Sequence, residues 1–371
     1  MARKLAFDRL LFATVLLLVL LGLVMVQSST APLVRGEAAM SAGGALLANP
    51  LLIKQCIAVA LGLAGMLVLM HIDYRVFKKP ALLYPLIAGI TMLLVAVLFT
   101  PEINGSRRWL RLAGLSFQPS ELAKLVLVLY LAYQIERKRE RIDHYSFLIP
   151  VLGLTLFFSA LIMAGKDLGT TVLLCLPAGL MVFLAGLSMR FVFAGGLVVL
   201  PMVVLAIASQ DYRRRRMLAF LDPEADRLGF GFQLLQSLIA VGSGGLFGLG
   251  PGGSVQKLHF LPSPHADFIF SIVAEELGFF GSLLFIGLFA VLLWRGVVAG
   301  QQAPEAFGRY FAWGLTALLV GQALVHMSVA LGVMPTTGVP LPFISHGGSS
   351  VITSLLAAGL ILNVSQHGGG P

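Results

Sequence analysis

Asp267 is the acidic residue of this chain best placed for chemistry. It follows the proline-rich stretch LPSPHA and immediately precedes the apolar run FIFSIVAEELGFF. An aspartate at that junction can cap a helix, or it can serve as a general base at a membrane surface. A sugar hydroxyl is a poor nucleophile at neutral pH and gains from a carboxylate that accepts its proton. Glu275 and Glu276 stand two turns further in, where they either line the same polar interior or pair with neighbouring helices.

Other ionisable residues lie inside or at the edge of apolar runs, where burial is costly and function is the default reading. Glu121 and Lys124 are three residues apart and share one helix face. They read as a structural ion pair or as the polar wall of a water-filled cavity. Asp167, in AGKDLGTT, reads as the cap of the following helix or as a cavity position facing substrate.

The basic residues complete the set. Arg107, Arg108, Arg111, the run Arg213 to Arg216 and Lys257 fall on one predicted face of the membrane. Guanidinium groups match phosphate oxygens with a rigid fork of donors, and cations stabilise the charge that grows on a departing diphosphate. Arg107, Arg111, Arg213, Arg214 and Lys257 are the candidates for that role. Contact with anionic lipid headgroups is the alternative. In GVMPTTGVPLPFISHGGSS, Ser345, His346, Ser349 and Ser350 can donate hydrogen bonds to a headgroup. His265, two residues before Asp267, joins Ser345 and Ser349 as a candidate substrate contact.

These side chains need a frame, and composition says which kind. Hydrophobic residues make up 58% of the 371 positions and charged residues only 12%, well below the quarter usual in soluble domains. Apolar runs lie near 10–27, 53–70, 81–100, 121–135, 147–165, 168–188, 191–208, 268–294, 309–332 and 347–364. A span takes about 20 apolar residues, and lipid offers the backbone no hydrogen-bond partner, so the runs must cross as helices. The expectation is an all-α integral membrane protein of about ten transmembrane helices, in one polytopic domain. One large extracellular loop, about 209–267, joins helices 7 and 8. Within it, 230–242 suggests a short helix on or dipping into the membrane, and the glycines of GSGGLFGLGPGG suggest tight turns. Cys56 and Cys175 sit in apolar runs and read as buried small hydrophobes.

Orientation rests on Lys and Arg in short loops. A cytoplasmic N-terminus puts Arg3, Lys4, Arg9, Arg75, Lys78, Lys79 and the cluster Arg137 to Arg141 inside, and ten spans return the C-terminus there. The other side, with Arg35 and Arg227 added to the basic residues above, carries nearly as much positive charge, much of it in the long loop. The net charge of +9 therefore points to anionic lipid rather than nucleic acid. The first apolar run is read as a retained helix, not a cleaved signal. No nucleotide-binding motif is present, so the energy for a reaction would come from an activated lipid donor.

Four spaced stretches resemble the SEDS family of shape, elongation, division and sporulation proteins across nearly the whole chain. They are NGSRRWLRLAGLSFQPSELAKL at 104–125, KDLGTT at 166–171, the segment from FGFQLLQSL to VAEELG at 230–278, and PTTGVPLPFISHGGSS at 335–350. GGSVQKLHFLP resembles the division-type, FtsW-like pattern more than the RodA-like one. The resemblance implies a peptidoglycan glycosyltransferase that polymerises lipid II onto a lipid-linked glycan, at the outer face of the bacterial cytoplasmic membrane and at the septum. It implies a class B penicillin-binding protein and other divisome membrane proteins as partners. It matches Asp267 to the family's essential acid, and Glu121, Lys124 and Asp167 to cavity-lining polar positions. It also implies assistance by a divalent cation, Mg or Mn, although no ligand set is legible. This chain has His265-Ala266-Asp267 where the family shows HTD, and Ile344-Ser345-His346 where it shows ISY. A lipid II flippase, or a scaffold without catalysis, is the competing expectation.

Overall fold

A stretch of 20 apolar residues wound as a helix is about 30 Å long, the thickness of a bilayer's hydrocarbon core. That match organises the chain. A computed structural model of the protein describes residues 7–31, 49–103, 105–112, 115–226, 229–258 and 260–368. Arg3, Lys4, Arg35 and Arg227, used above for orientation, lie outside the described residues.

Twelve α-helices run in chain order among the described residues. They are α1 (Arg9–Thr30), α2 (Pro50–His71), α3 (Pro80–Leu98), α4 (Pro119–Arg137), α5 (Tyr145–Ala164) and α6 (Leu168–Leu184). Then follow α7 (Met189–Ala208), α8 (Asp211–Leu221), α9 (Phe230–Ser243), α10 (Ile269–Gln302), α11 (Ala306–Ala330) and α12 (Gly348–Ser365). Every one of the ten apolar runs is a helix. Eight of these helices are long and apolar enough to cross a membrane; α6 is shorter, at 17 residues, and α4 is set apart by its charged residues. A two-stranded hairpin, β1 (Leu110–Leu112) and β2 (Leu115–Phe117), precedes α4 with Leu110 opposite Phe117. Neither the hairpin nor α8 was apparent from periodicity, because both are short.

The centre is built from α4, α11 and α12, whose residues are mostly buried. Small residues allow close approach: a Cβ on Gly62 of α2 would meet Leu355 of α12 at 2.5 Å, and one on Gly359 would meet the Met66 carbonyl at 2.8 Å. Close backbone contact is the main source of packing energy between helices in lipid, where there is no water to expel. The peripheral helices turn apolar side chains outward, and α7 has no buried residue. Cys56 and Cys175 lie on such outward faces and are exposed, not buried as expected. In a membrane bundle an apolar residue can face lipid as readily as core.

Ion pairs tie together one end of the bundle. Asp8, which caps α1, pairs with Arg295 near the end of α10 at 2.7 Å, and its N–H donates to Ser365 at the end of α12. Lys78 joins Glu136 at 3.2 Å and Glu305 at 2.5 Å. The first and last helices thus share this end with the 71–79, 136–144 and 303–306 connections. The opposite end carries the hairpin, the 165–167 turn, the long loop and the 331–347 loop.

Candidate active site

Asp267 lies at that opposite end, in the turn that feeds α10, its N–H bonded to the Ser263 carbonyl at 3.2 Å. Burial pushes its carboxyl above the usual aspartate range, and the guanidinium charges of Arg108 and Arg216 draw it back down. Among the described residues no hydrogen bond or ion pair reaches the carboxylate. It faces a cavity of about 80 Å³ lined also by Arg108, Trp109, Gln118, Glu121, Thr170, His346 and Ser350. Gly338, at φ +69°, forms the facing wall, and even a Cβ there would come within 3.7 Å of the carboxylate. A half-buried carboxylate with no bonded partner, in the field of two guanidinium groups, is chemically able to accept a proton.

Arg108 is aimed by a second acid. Asp167 caps α6, accepting from the Thr170 N–H at 3.0 Å and the Thr170 hydroxyl at 2.8 Å. It also receives Arg108 Nη1 and Gln118 Nε2, each at 3.4 Å. The capping role is realised, and Asp167 reaches the cavity only through Arg108 and Gln118, which line it. Arg216 is fixed from the long loop: Nη1 donates to the Thr336 carbonyl at 3.0 Å, and the guanidinium lies 4.5 Å above the Tyr212 ring. Helix α8 therefore holds its fourth arginine outside the cavity lining but close enough for its charge to act on Asp267.

Glu121 and Lys124 do pair, at 2.9 Å, within α4. Lys124 also donates to Gln322 Oε1 at 2.7 Å, and Gln322 Nε2 donates to the Pro340 carbonyl at 2.8 Å. The chain of bonds links α4, α11 and the 331–347 loop beneath the cavity floor.

The remaining predicted contacts are placed elsewhere. Arg107 is half-exposed and bonds Leu98 O and Glu102; Arg111 is exposed on β1. Arg213 donates to Ala206 O and Arg214 pairs with Asp211 in solvent. Lys257 is buried against Glu276 at 2.7 Å and Ser28 at 3.0 Å. Glu276 and its neighbour Glu275 bind the returning loop, not the cavity: Glu276 accepts from Gly252 N–H, and Glu275 from Ser254 Oγ and Val255 N–H.

Ser345 and Ser349 spend their hydroxyls on backbone. Ser345 donates to Ala266 O at 2.8 Å and accepts from Leu341 N–H at 2.7 Å, which fastens the loop beside Asp267. Ser349 accepts from Gln118 N–H at 3.0 Å, fastening β2 to α12. The His265 carbonyl accepts from His346 N–H at 2.8 Å, and the two rings sit edge to face at 5.6 Å. Burial pushes both imidazoles down, His346 to about 4 with help from His265 and Lys54, so both are neutral at pH 7. Among the described residues no three His, Cys, Asp or Glu side chains cluster as metal ligands. The protein atoms around Asp267 therefore do not fit a divalent-cation cage.

Sequence reasoning singled out neither Arg108 nor Arg216 among their basic neighbours, and it passed over Gln118 and Thr170. A run of arginines carries no mark of which member turns inward. The threonine two places after KDL was the one available signal, since a hydroxyl three residues after a capping Asp can share its carboxylate.

The family model for the cell cycle proteins FtsW, RodA and SpoVE matches residues 8–369. The chain belongs to the FtsW/RodA/SpoVE family. Among family relatives, a probable peptidoglycan glycosyltransferase FtsW of Geobacter sp. (strain M18) is 41% identical over 85% of this chain and 86% of its own. Stage V sporulation protein E of Bacillus subtilis is 38% identical, covering 98% of each chain. Two solved structures extend the likeness to the fold. A chain from a peptidoglycan synthase complex that coordinates polymerization and crosslinking superposes with a TM-score of 0.77, at 37% identity over 97% of this chain and 98% of that one. The rod shape determining protein RodA of Thermus thermophilus gives 0.70, at 32% identity over 97% of each.

Proposed function

We propose that this protein is a peptidoglycan glycosyltransferase of the division type, polymerising lipid II at the outer face of the cytoplasmic membrane. The observation that supports the reading is the bare Asp267 carboxylate in one cavity with Arg108, within the charge field of that arginine and of Arg216. The relatives named probable peptidoglycan glycosyltransferase support it, at 41% and 42% identity over most of the chain.

Helix length supports the location. Arg295 is paired at the termini end, the part of α10 from there back to its break at Gly278 is 17 residues, about 26 Å at 1.5 Å per residue, and the first turns of α10 and Asp267 lie beyond that break. The hydrocarbon core is about 30 Å thick, so Asp267 falls at headgroup level, where sugars and diphosphates of lipid-linked substrates reside. A transporter's charges would favour the midplane instead. On this reading ten helices span, both termini are cytoplasmic, and the loop 209–267 lies on the outer side.

In the proposed reaction the growing lipid-linked glycan is the donor and lipid II the acceptor. Asp267 takes the proton of the acceptor GlcNAc 4-hydroxyl as its oxygen attacks the donor's anomeric carbon. The bond to the diphosphate breaks with inversion, and Arg108 and Arg216 stabilise the charge left on the lipid diphosphate. Asp167 acts by orienting Arg108. That proton transfer to the Asp267 carboxylate is eased by the burial that already raises its pKa. The cavity, at about 80 Å³, has room for only a few waters, so binding must widen it. Because the residues present do not form a cation cage, no step is assigned to a metal. The partner on this reading is a class B penicillin-binding protein that crosslinks the product, in line with the synthase complex of similar fold.

The deciding experiment is polymerisation of lipid II by the purified protein with its transpeptidase partner. Loss of polymer with Asp267→Ala, in protein that still folds and binds the partner, supports the base. Unchanged polymer removes it.

A further inference from the structure

The chain carries no charged side chain from Phe230 to Gln256, a composition odd for a loop bathed in water. Its backbone is also bonded in an unusual way. In an unbroken α10, Phe279 N–H would donate to Glu275 O and Phe280 N–H to Glu276 O. Instead α10 breaks at Gly278 (φ +67°, ψ −161°). Phe279 N–H donates to Gly245 O at 2.9 Å and Phe280 N–H to Leu246 O at 3.2 Å. The freed carbonyls of Glu275 and Glu276 accept from Leu249 and Gly250 N–H, each at 3.0 Å. The loop and the helix exchange hydrogen bonds reciprocally, so the break leaves these four helix groups satisfied by protein.

That matters only where water is scarce, since in water exposed amides satisfy themselves. The side chains agree. Leu246, Phe247 and Leu249 are 60%, 80% and 49% exposed, and Phe247 packs on Phe280 of α10 at 5.4 Å. The patch continues into the outward α10 residues Leu283 and Leu284, which face where lipid must lie. Depth follows from the same ruler as before. Gly278 is 17 residues from Arg295, about 26 Å at 1.5 Å per residue, hence inside a hydrocarbon core of about 30 Å and near its outer edge.

We propose that Gly244–Gly250 is a membrane-inserted turn whose Leu246, Phe247 and Leu249 contact acyl chains of the outer leaflet. Helix α9 leads into it and the segment bound by Glu275 and Glu276 leads out. The turn anchors the first turns of α10, and so the height of Asp267, against the bilayer. The inference rests on the membrane reading of the chain, not on its catalysis.

The test uses full-length protein in phospholipid vesicles, with Cys56→Ser and Cys175→Ser as background. Phe247→Cys carries an environment-sensitive fluorophore, and Arg139→Cys, exposed at the termini end, serves as the aqueous control. Nitroxides on shallow acyl carbons should quench the Phe247→Cys label severalfold more than a water-soluble quencher does, with the order reversed for the control. Leu249→Cys should give the same result and stands in if Phe247→Cys does not fold. Dominant aqueous quenching at both sites would overturn the proposal. Acyl quenching that vanishes when the partner protein is added would also overturn it, marking the patch as a protein-docking face.

Discussion

Arg108 Nη1 stands 3.4 Å from the Asp167 carboxylate while the same guanidinium charge acts on Asp267. One arginine thereby couples the cap of α6 to the candidate base, and two acids from distant parts of the chain share its field. The arrangement keeps Asp267 ionisable in a place where burial alone would favour its neutral form.

Asp267→Asn should separate activity from stability. Polymerisation should fall by about 10²- to 10⁴-fold, the usual contribution of a general base. The thermal midpoint in detergent should not fall. The folded pKa lies above the unfolded one, so at neutral pH the ionised group costs stability, a penalty that fades as pH falls through the folded pKa and is gone below the unfolded one. Asparagine carries no such cost. A large drop in midpoint alongside lost activity would make Asp267 structural instead.

The pH–rate profile should show an acid limb above the ordinary aspartate pKa, since activity needs the deprotonated form of a carboxyl raised by burial. Removing a cation that lowers that pKa must raise it further. Arg108→Gln is therefore expected to move the limb to higher pH as well as lower the maximal rate. A limb that stays in place would show that Arg108 does not act on the titrating group.

Lys257 and Glu276 form a buried pair remote from the cavity lining, and their energetics should show it. Lys257→Met or Glu276→Gln alone leaves one charge or its partners stranded, at a cost of about 3–5 kcal/mol. The double variant should recover much of that loss in a thermal unfolding series. Additive losses would mean the two residues do not depend on each other.

Gly278→Ala tests the break in α10. The residue's φ of +67° disfavours any side chain, and a Cβ would stand 2.3 Å from the Gly248 backbone nitrogen, which cannot swing aside. Strain of about 1–3 kcal/mol adds to that clash, so yield of monodisperse protein should fall sharply. Gly89→Ala, where nothing lies within 4 Å of a new Cβ, is the matched control and should express normally.

The helices were legible because their signal is local. Each apolar run is long enough to reveal a span without knowledge of its neighbours, and each became a helix. Asp267, Asp167 and the Glu121–Lys124 pair stood out as candidates for a related reason: charge amid apolar sequence is costly. Which arginines approach Asp267 was not legible. Arg108 and Arg216 differ from Arg107 and Arg213 only in the direction the backbone turns them, and that is set by the Gly165 carbonyl holding Arg107 N–H and by Thr336 holding Arg216. Lys257 read as a phosphate ligand because its ion-pair partner lies 19 residues away in sequence.

The amino-acid sequence by itself determined the solvent this protein lives in, the extent of its helices and the few acids worth asking about. These follow from composition and from periods of a turn or a span. The tertiary structure alone decided that Asp267 lies in the field of Arg108 and Arg216 without bonding to either, that Ser345 and Ser349 serve backbone, and that a glycine-rich loop completes the hydrogen bonding of a broken helix. Those relations join residues tens to hundreds of positions apart, and only packing of the helices against one another brings such groups together.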